Sequence, residues 1–175
     1  METFFRQCFT ELYPAAVEWY LEASRDGYLF TPYEAEVSYT VTYNRRCAIS
    51  LYFDSYQFTG GAHGNTVRTS DTWNLNKGTK MRLSDFFPAE SDFRVYILER
   101  IDARIAEMIA AGDDIFFGDP NELARDYFDD QNFYLTADGI VIYYQLYTVA
   151  PYASGIVEFL IPWAKGEVIR PSCEI

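Results

Sequence analysis

His63 is the single histidine of this 175-residue chain, so any imidazole base must be this side chain. A base of that kind needs a nucleophile beside it, and the candidates are the hydroxyls of Ser55 and Ser70 and the thiol of Cys47. None of the three stands at the spacing of a recognised catalytic constellation. Phosphate-loop, nucleophile-elbow and His-Glu-x-x-His patterns are also missing from the sequence. The simpler role for His63 is a hydrogen bond inside Gly60-Gly61-Ala62-His63-Gly64 that holds the shape of that stretch. A four-ligand zinc site would need His63 together with Cys8, Cys47 and Cys173, which share no Cys-x-x-Cys spacing. The odd cysteine count argues against a disulfide framework but leaves one long-range bridge open, with its partners unassigned. The expectation is therefore a chain without catalytic residues, metal or cofactor.

Carboxylates offer a second chemistry. Asp113, Asp114, Asp119, Glu122, Asp126, Asp129 and Asp130 face one base, Arg125, so this short segment carries half of the net charge of −12. The Asp-x-Asp-x-Asp-Gly order of a calcium loop is not present, which leaves a solvated acidic helix face over 122–127 or a surface that attracts a basic protein. A chain this acidic repels polyanions, which excludes nucleic acid and anionic lipid as partners. Aromatic residues are the third resource, with 15 Tyr, 14 Phe and 3 Trp. Tyr52, Tyr56, Tyr143 and Tyr147 suit either cover for a sheet or a binding surface, where tyrosine gives large contact area at low entropic cost.

The elements that must carry these groups follow from periodicity. Phe5, Cys8, Phe9, Leu12, Ala16, Trp19, Tyr20 and Ala23 recur at three- and four-residue steps, which predicts a helix kinked or divided at Pro14 and ended by Asp26-Gly27. Strict alternation predicts a strand over 36–43, a turn at Asn44-Arg45-Arg46 and a second strand over 49–54. The glycine-rich stretch cannot extend a ladder, and a third strand over 66–75 places Val67, Asp71, Trp73 and Leu75 on one side before the Asn76-Lys77-Gly78 turn. Ser91 is the expected N-cap of a long helix in which Phe93, Ile97, Ile101, Ile105 and Ile109 step by four up to Gly112. Asp138-Gly139 joins 133–135 to 140–147 as a hairpin, and 156–161 forms the last strand.

The uncharged run 139–157 is long enough to raise the question of a membrane span, but Ala150-Pro151 breaks it, and two strands with a connection fit better. The N-terminus has neither the basic nor the apolar region of a secretory signal, which suits a cytosolic chain or a fragment of a longer one. The expected fold is α+β: mostly antiparallel sheet with an N-terminal helix and a central long helix, in two intimately packed subregions, 1–85 and 86–175.

Four stretches together resemble a known family: 50–66 with its core Thr59-Gly60-Gly61-Ala62-His63-Gly64, then Trp73-Asn74-Leu75 with Lys77-Gly78, then 83–87, then Val149-Ala150-Pro151-Tyr152-Ala153-Ser154-Gly155. They are similar, in order and spacing, to the extracytoplasmic domain of unknown function shared by the anti-sigma factor RsiV and the peptidoglycan deacetylase PdaC. The resemblance implies a non-enzymatic binding or sensor domain outside the cytoplasmic membrane. It implies lysozyme or another basic protein as partner, or peptidoglycan, and places the binding surface on the two signature loops. The residues so implied are Tyr56, Gly60, Gly61, His63 and Asn65 on the first loop, and Tyr147, Pro151 and Tyr152 at the second. In the competing account the loops only pack one subregion on the other. The glycines then serve positive φ, and Pro151 a fixed turn with a cis bond open to it.

Overall fold

The computed structural model describes residues 2–113 and 115–172. Pro14 falls in the first turn of α2 (Tyr13–Asp26), where a missing N–H is harmless; ahead of it a wide π-helical turn over Cys8–Leu12 follows α1 (Glu2–Gln7). Gly27 ends α2 at φ 76°, its N–H on the Ala23 carbonyl at 2.9 Å. The apolar residues of these helices form a face that is largely exposed, Phe9 at 80%, and Ala23 is its buried member.

Strands β1 (Glu34–Arg45), β2 (Ala48–Phe58), β3 (Asn65–Asn74) and the short β4 (Thr79–Lys80) form one sheet in that order. The β1–β2 turn lies at Arg46-Cys47, later than expected, with φ of 51° and 57°. Two consecutive positive φ values are what a two-residue hairpin loop needs to match strand twist. A second sheet, antiparallel throughout, has the order β5 (Phe133–Leu135), β6 (Gly139–Tyr144), β7 (Val157–Pro162).

Two compact units share these elements: Met1–Tyr39 with Phe53–Arg68, and Thr40–Tyr52 with Thr69–Ile175. The second unit holds the main core. Strand β6 is buried at every position, as the run Ile140-Val141-Ile142-Tyr143-Tyr144 requires, because both of its faces are covered. On one face Ile140, Ile142 and Tyr144 join Ile97, Ile101 and Ile105 of the long helix α3 (Phe93–Ala111). On the other, Val141 and Tyr143 pack with Tyr134, Tyr52 and Ile156. The Tyr144 hydroxyl donates to the Ala124 carbonyl at 2.8 Å, and burial, with the Asp102 charge second, pushes its phenol above the ordinary range. Asp92, not Ser91, caps α3, accepting the Val95 N–H at 3.2 Å; Ser91 is engaged instead with the Pro88 carbonyl at 2.7 Å.

Hydroxyls tie β2 and β3 to β5 inside this unit. Ser50, wholly buried, lies 2.7 Å from Thr72 Oγ1 and accepts the Leu135 N–H at 2.9 Å. Ser50→Ala strands a buried amide and a buried hydroxyl. A loss of about 2 kcal/mol is expected, checked as a lower urea midpoint at unchanged m-value. Among the described residues no helix is long and apolar enough to cross a membrane.

Candidate functional site

The first signature loop belongs to the first compact unit. Strand β2 ends at Phe58, and Gly60 and Gly61 then take φ of 91° and 92°, with open space where a Cβ would stand. Glycine is required there by backbone angle. At Gly64 the requirement is different: a Cβ would stand 2.3 Å from the Tyr56 ring and 2.6 Å from the Gln57 carbonyl oxygen. Half-buried Tyr56 therefore closes against the returning chain at Gly64, and its ring supports the loop. His63 is exposed, with Nδ1 2.9 Å from the Gly64 carbonyl, which fixes Nδ1 as the protonated nitrogen toward that oxygen. Asn65 opens β3 and is exposed.

Two of the three expected nucleophiles, Cys47 and Ser70, are engaged elsewhere. Cys47 is disulfide-bonded and carries no thiol; Cys8 is free, and Cys173 lies outside the described residues. Ser70 Oγ donates to the Phe133 carbonyl at 2.6 Å and stands 3.1 Å from the Tyr143 hydroxyl.

The second loop belongs to the second unit and is anchored from within. Val149 and Ala150 are buried, and the Val149 carbonyl accepts the Phe117 N–H at 3.0 Å. Pro151, with a trans bond and φ −65°, leads into a 3-10 turn over Tyr152–Ser154 closed by Ser154 N–H on its carbonyl at 2.9 Å. Gly155 (φ 72°, ψ −159°) completes the reversal in a region open to glycine alone. Ahead of this anchor Tyr147 adopts φ 63° although its side chain is bulky, and it is 52% exposed. Its ring centroid lies 5.8 Å from that of Tyr152 at 33°. A non-glycine residue in the left-handed region costs about 1 kcal/mol or more, so the loop holds an aromatic side chain outward against a local penalty. Periodicity could not find this feature, because it lies where β6 has already stopped.

Part of the acidic segment is structural. Asp119 caps α4 (Pro120–Asp126) by accepting the Asn121 and Glu122 N–H groups, both at 3.1 Å, and Arg125 pairs with Asp102 of α3. Asp114 lies outside the described residues. Asp126, Asp129 and Asp130 remain exposed. Among the described residues no three His, Cys, Asp or Glu side chains converge as a metal-ligand set.

Residues 2–66 match the family described as deacetylase PdaC, and residues 84–164 match the family described as protein of unknown function DUF3298. The peptidoglycan-N-acetylmuramic acid deacetylase PdaC of Bacillus subtilis (strain 168) is 24% identical over 119 residues. That match covers 67% of this chain and only a quarter (25%) of the deacetylase. A DUF3298 family member from Bacteroides fragilis NCTC 9343 superposes with a TM-score of 0.67 at 23% identity, over 97% of this chain and 67% of that one. A DUF3298 family protein from Pseudomonas aeruginosa PAO1 gives 0.59 at 21%, over 85% and 67%. The chain is thus similar to PdaC in its first part and to DUF3298 proteins in its second, and it has the α+β fold of the solved DUF3298 structures.

Proposed function

We propose that this chain is an extracytoplasmic, non-enzymatic binding domain of the RsiV type that recognises a cationic protein such as lysozyme, with the loop around Tyr147, Pro151 and Tyr152 as its contact face. The observation that carries the reading is Tyr147, exposed and held at positive φ against Tyr152. Backbone strain persists where surrounding structure enforces it, and binding surfaces are among the places where it gathers. Exposed tyrosines are also the residue type that dominates interface hot spots. The net charge of −12 supplies long-range attraction for a basic partner. The disulfide at Cys47 suits an oxidising compartment outside the cytoplasm.

Calorimetric titration with lysozyme at moderate salt tests the proposal; absence of heat at high micromolar concentration overturns the lysozyme assignment. Tyr147→Gly separates binding from packing. Relief of left-handed strain and loss of the Tyr152 ring contact are each about 1 kcal/mol and opposed, so the melting temperature is expected to hold. Affinity is expected to fall about thirtyfold, the loss of a hot spot worth about 2 kcal/mol. A variant that loses stability but not affinity returns the loop to a packing role.

A second reading draws on the named action of the Bacillus subtilis relative on peptidoglycan. In it the same tyrosines stack on cell-wall glycan, and retention of the domain on purified peptidoglycan, abolished by Tyr147→Gly, is the expected sign.

A further inference from the structure

A cleft of about 450 Å³ opens in the second compact unit, and it shares no residue with the Tyr147 loop. Its apolar lining is Met81, Phe93 and Phe133. Its two rings are each packed on a neighbour, Phe133 on Phe86 at 6.0 Å between centroids and Phe93 on Phe87 at 5.5 Å. The Met81 N–H is tied to the Thr72 carbonyl at 2.7 Å, and the Arg82 N–H to Asp85 Oδ2 at 2.8 Å, which fixes the strand edge beside it. Volume and an apolar base with a few convergent polar groups are the attributes of a small-molecule site.

The polar lining gives the ligand its chemistry. Lys80 and Arg82 bring two of the chain's 14 Lys and Arg side chains to one cleft of a strongly acidic molecule. Lys80 pairs with Asp71 at 2.5 Å, whereas Arg82 meets Asp85 at 3.7 Å and is 82% exposed, so this long contact leaves most of its five N–H donors accessible. Ser84 lines the cleft with them, and Gln131 and Asp130 are on its wall as well. Asp71, Asp85 and Asp130 oppose a dianion, which disfavours phosphate; a single carboxylate on the guanidinium fork fits this charge balance.

We propose that this cleft binds a small carboxylate with an acylated or apolar body. The body lies on Met81, Phe93 and Phe133, the carboxylate on Arg82 and Lys80, and an amide or hydroxyl toward Ser84 and Gln131. Acylated sugar acids and N-acyl amino acids share this chemistry.

The test is amide chemical-shift mapping on the whole chain. The probes are N-acetylmuramic acid and N-acetylphenylalanine, each against its uncharged counterpart, N-acetylglucosamine and N-acetylphenylalaninamide. At least one carboxylate is expected to shift amides of 80–84 and 130–133. The neutral counterpart and the Arg82→Gln variant should each bind about tenfold more weakly, and Tyr147→Gly should leave the binding unchanged. Arg82 is exposed enough that the substitution spares the fold. Binding of the sugar acid alone or of the acyl amino acid alone supports the proposal and identifies the source. Equal binding of charged and neutral probes, shifts confined to other residues, or no shifts at millimolar probe overturn it.

Discussion

Alanine at Gly139 is expected to lower stability by more than about 3 kcal/mol, the upper end of what overpacking costs. A Cβ built there stands 2.1 Å from the Ile161 carbonyl oxygen, 2.8 Å from its carbon and 2.9 Å from Pro162 Cα. All three are backbone atoms of β7, paired with β6 in the register Gly139↔Pro162, so no side-chain rotation relieves the clash. The strands must separate at the end where Ile140 and Ile161 are fully buried. Gly166 provides the contrast: its φ is 86°, but nothing lies within 4 Å of the added Cβ. Alanine there should cost only the left-handed penalty, about 1 kcal/mol. Thermal unfolding of both variants checks the pair; at about 2–4 °C per kcal/mol for a chain of this size, the Gly139 variant should melt roughly 10 °C lower. Equal small shifts would mean that β6 and β7 approach less closely than this.

The same glycine shows where sequence reasoning reached its limit. Asp138-Gly139 signals a hairpin, and the hairpin is present, but Gly139 is the first residue of β6 and has no positive φ. The loop is Ala137-Asp138, shaped by Thr136 Oγ1, which accepts the Asp138 and Gly139 N–H groups at 3.3 and 3.2 Å. Turn chemistry is local and legible; the close approach of β7 is a contact between distant parts of the chain and leaves no local signal. Periodicity did well where burial was one-sided or complete, as in α3 with Ile97, Ile101 and Ile105 and in β6.

In β3 alternation separates the two sides without telling which of them faces in. Alternation over 66–75 is real, yet Val67, Trp73 and Leu75 are the exposed set, while Arg68 and Thr72 are buried. A half-buried strand is ordinarily apolar on its inner side, and a shift of one residue exchanges the faces. Here the inner side is polar because each group meets a partner: Arg68 with Asp54, Ser70 with the Phe133 carbonyl, Thr72 with Ser50. Those partners are up to 63 residues away, beyond any window of periodicity. The candidate loops were legible from their glycines and proline. The strain at Tyr147 and the cleft above Met81 were not, since both arise from tertiary placement.

Arg68→Ala is expected to cost about 3–5 kcal/mol, the range for breaking a buried ion pair by removing one partner. Arg68 Nε and Nη2 donate to Asp54 Oδ1 and Oδ2, both at 2.7 Å, and the two side chains are 9% and 24% exposed. This bidentate fork crosses from β3 to β2 within the first unit, and the chain between the two residues includes the loop with Gly60, Gly61 and His63. Its removal leaves the half-buried Asp54 carboxylate without its counter-charge, and frees the strand ends that carry the loop. Replacement of both partners, Arg68→Met with Asp54→Leu, should recover most of the loss, because neither charge is then stranded. Denaturant unfolding of the two single variants and the double variant gives the coupling directly. Amide exchange over 59–64 should quicken in Arg68→Ala and return toward the parent rate in the double variant if the fork acts by holding β2 and β3 together. Exchange that stays fast in a restabilised double variant would assign loop order to the charges themselves, and a single-variant cost below about 1 kcal/mol would class the pair with exposed ones.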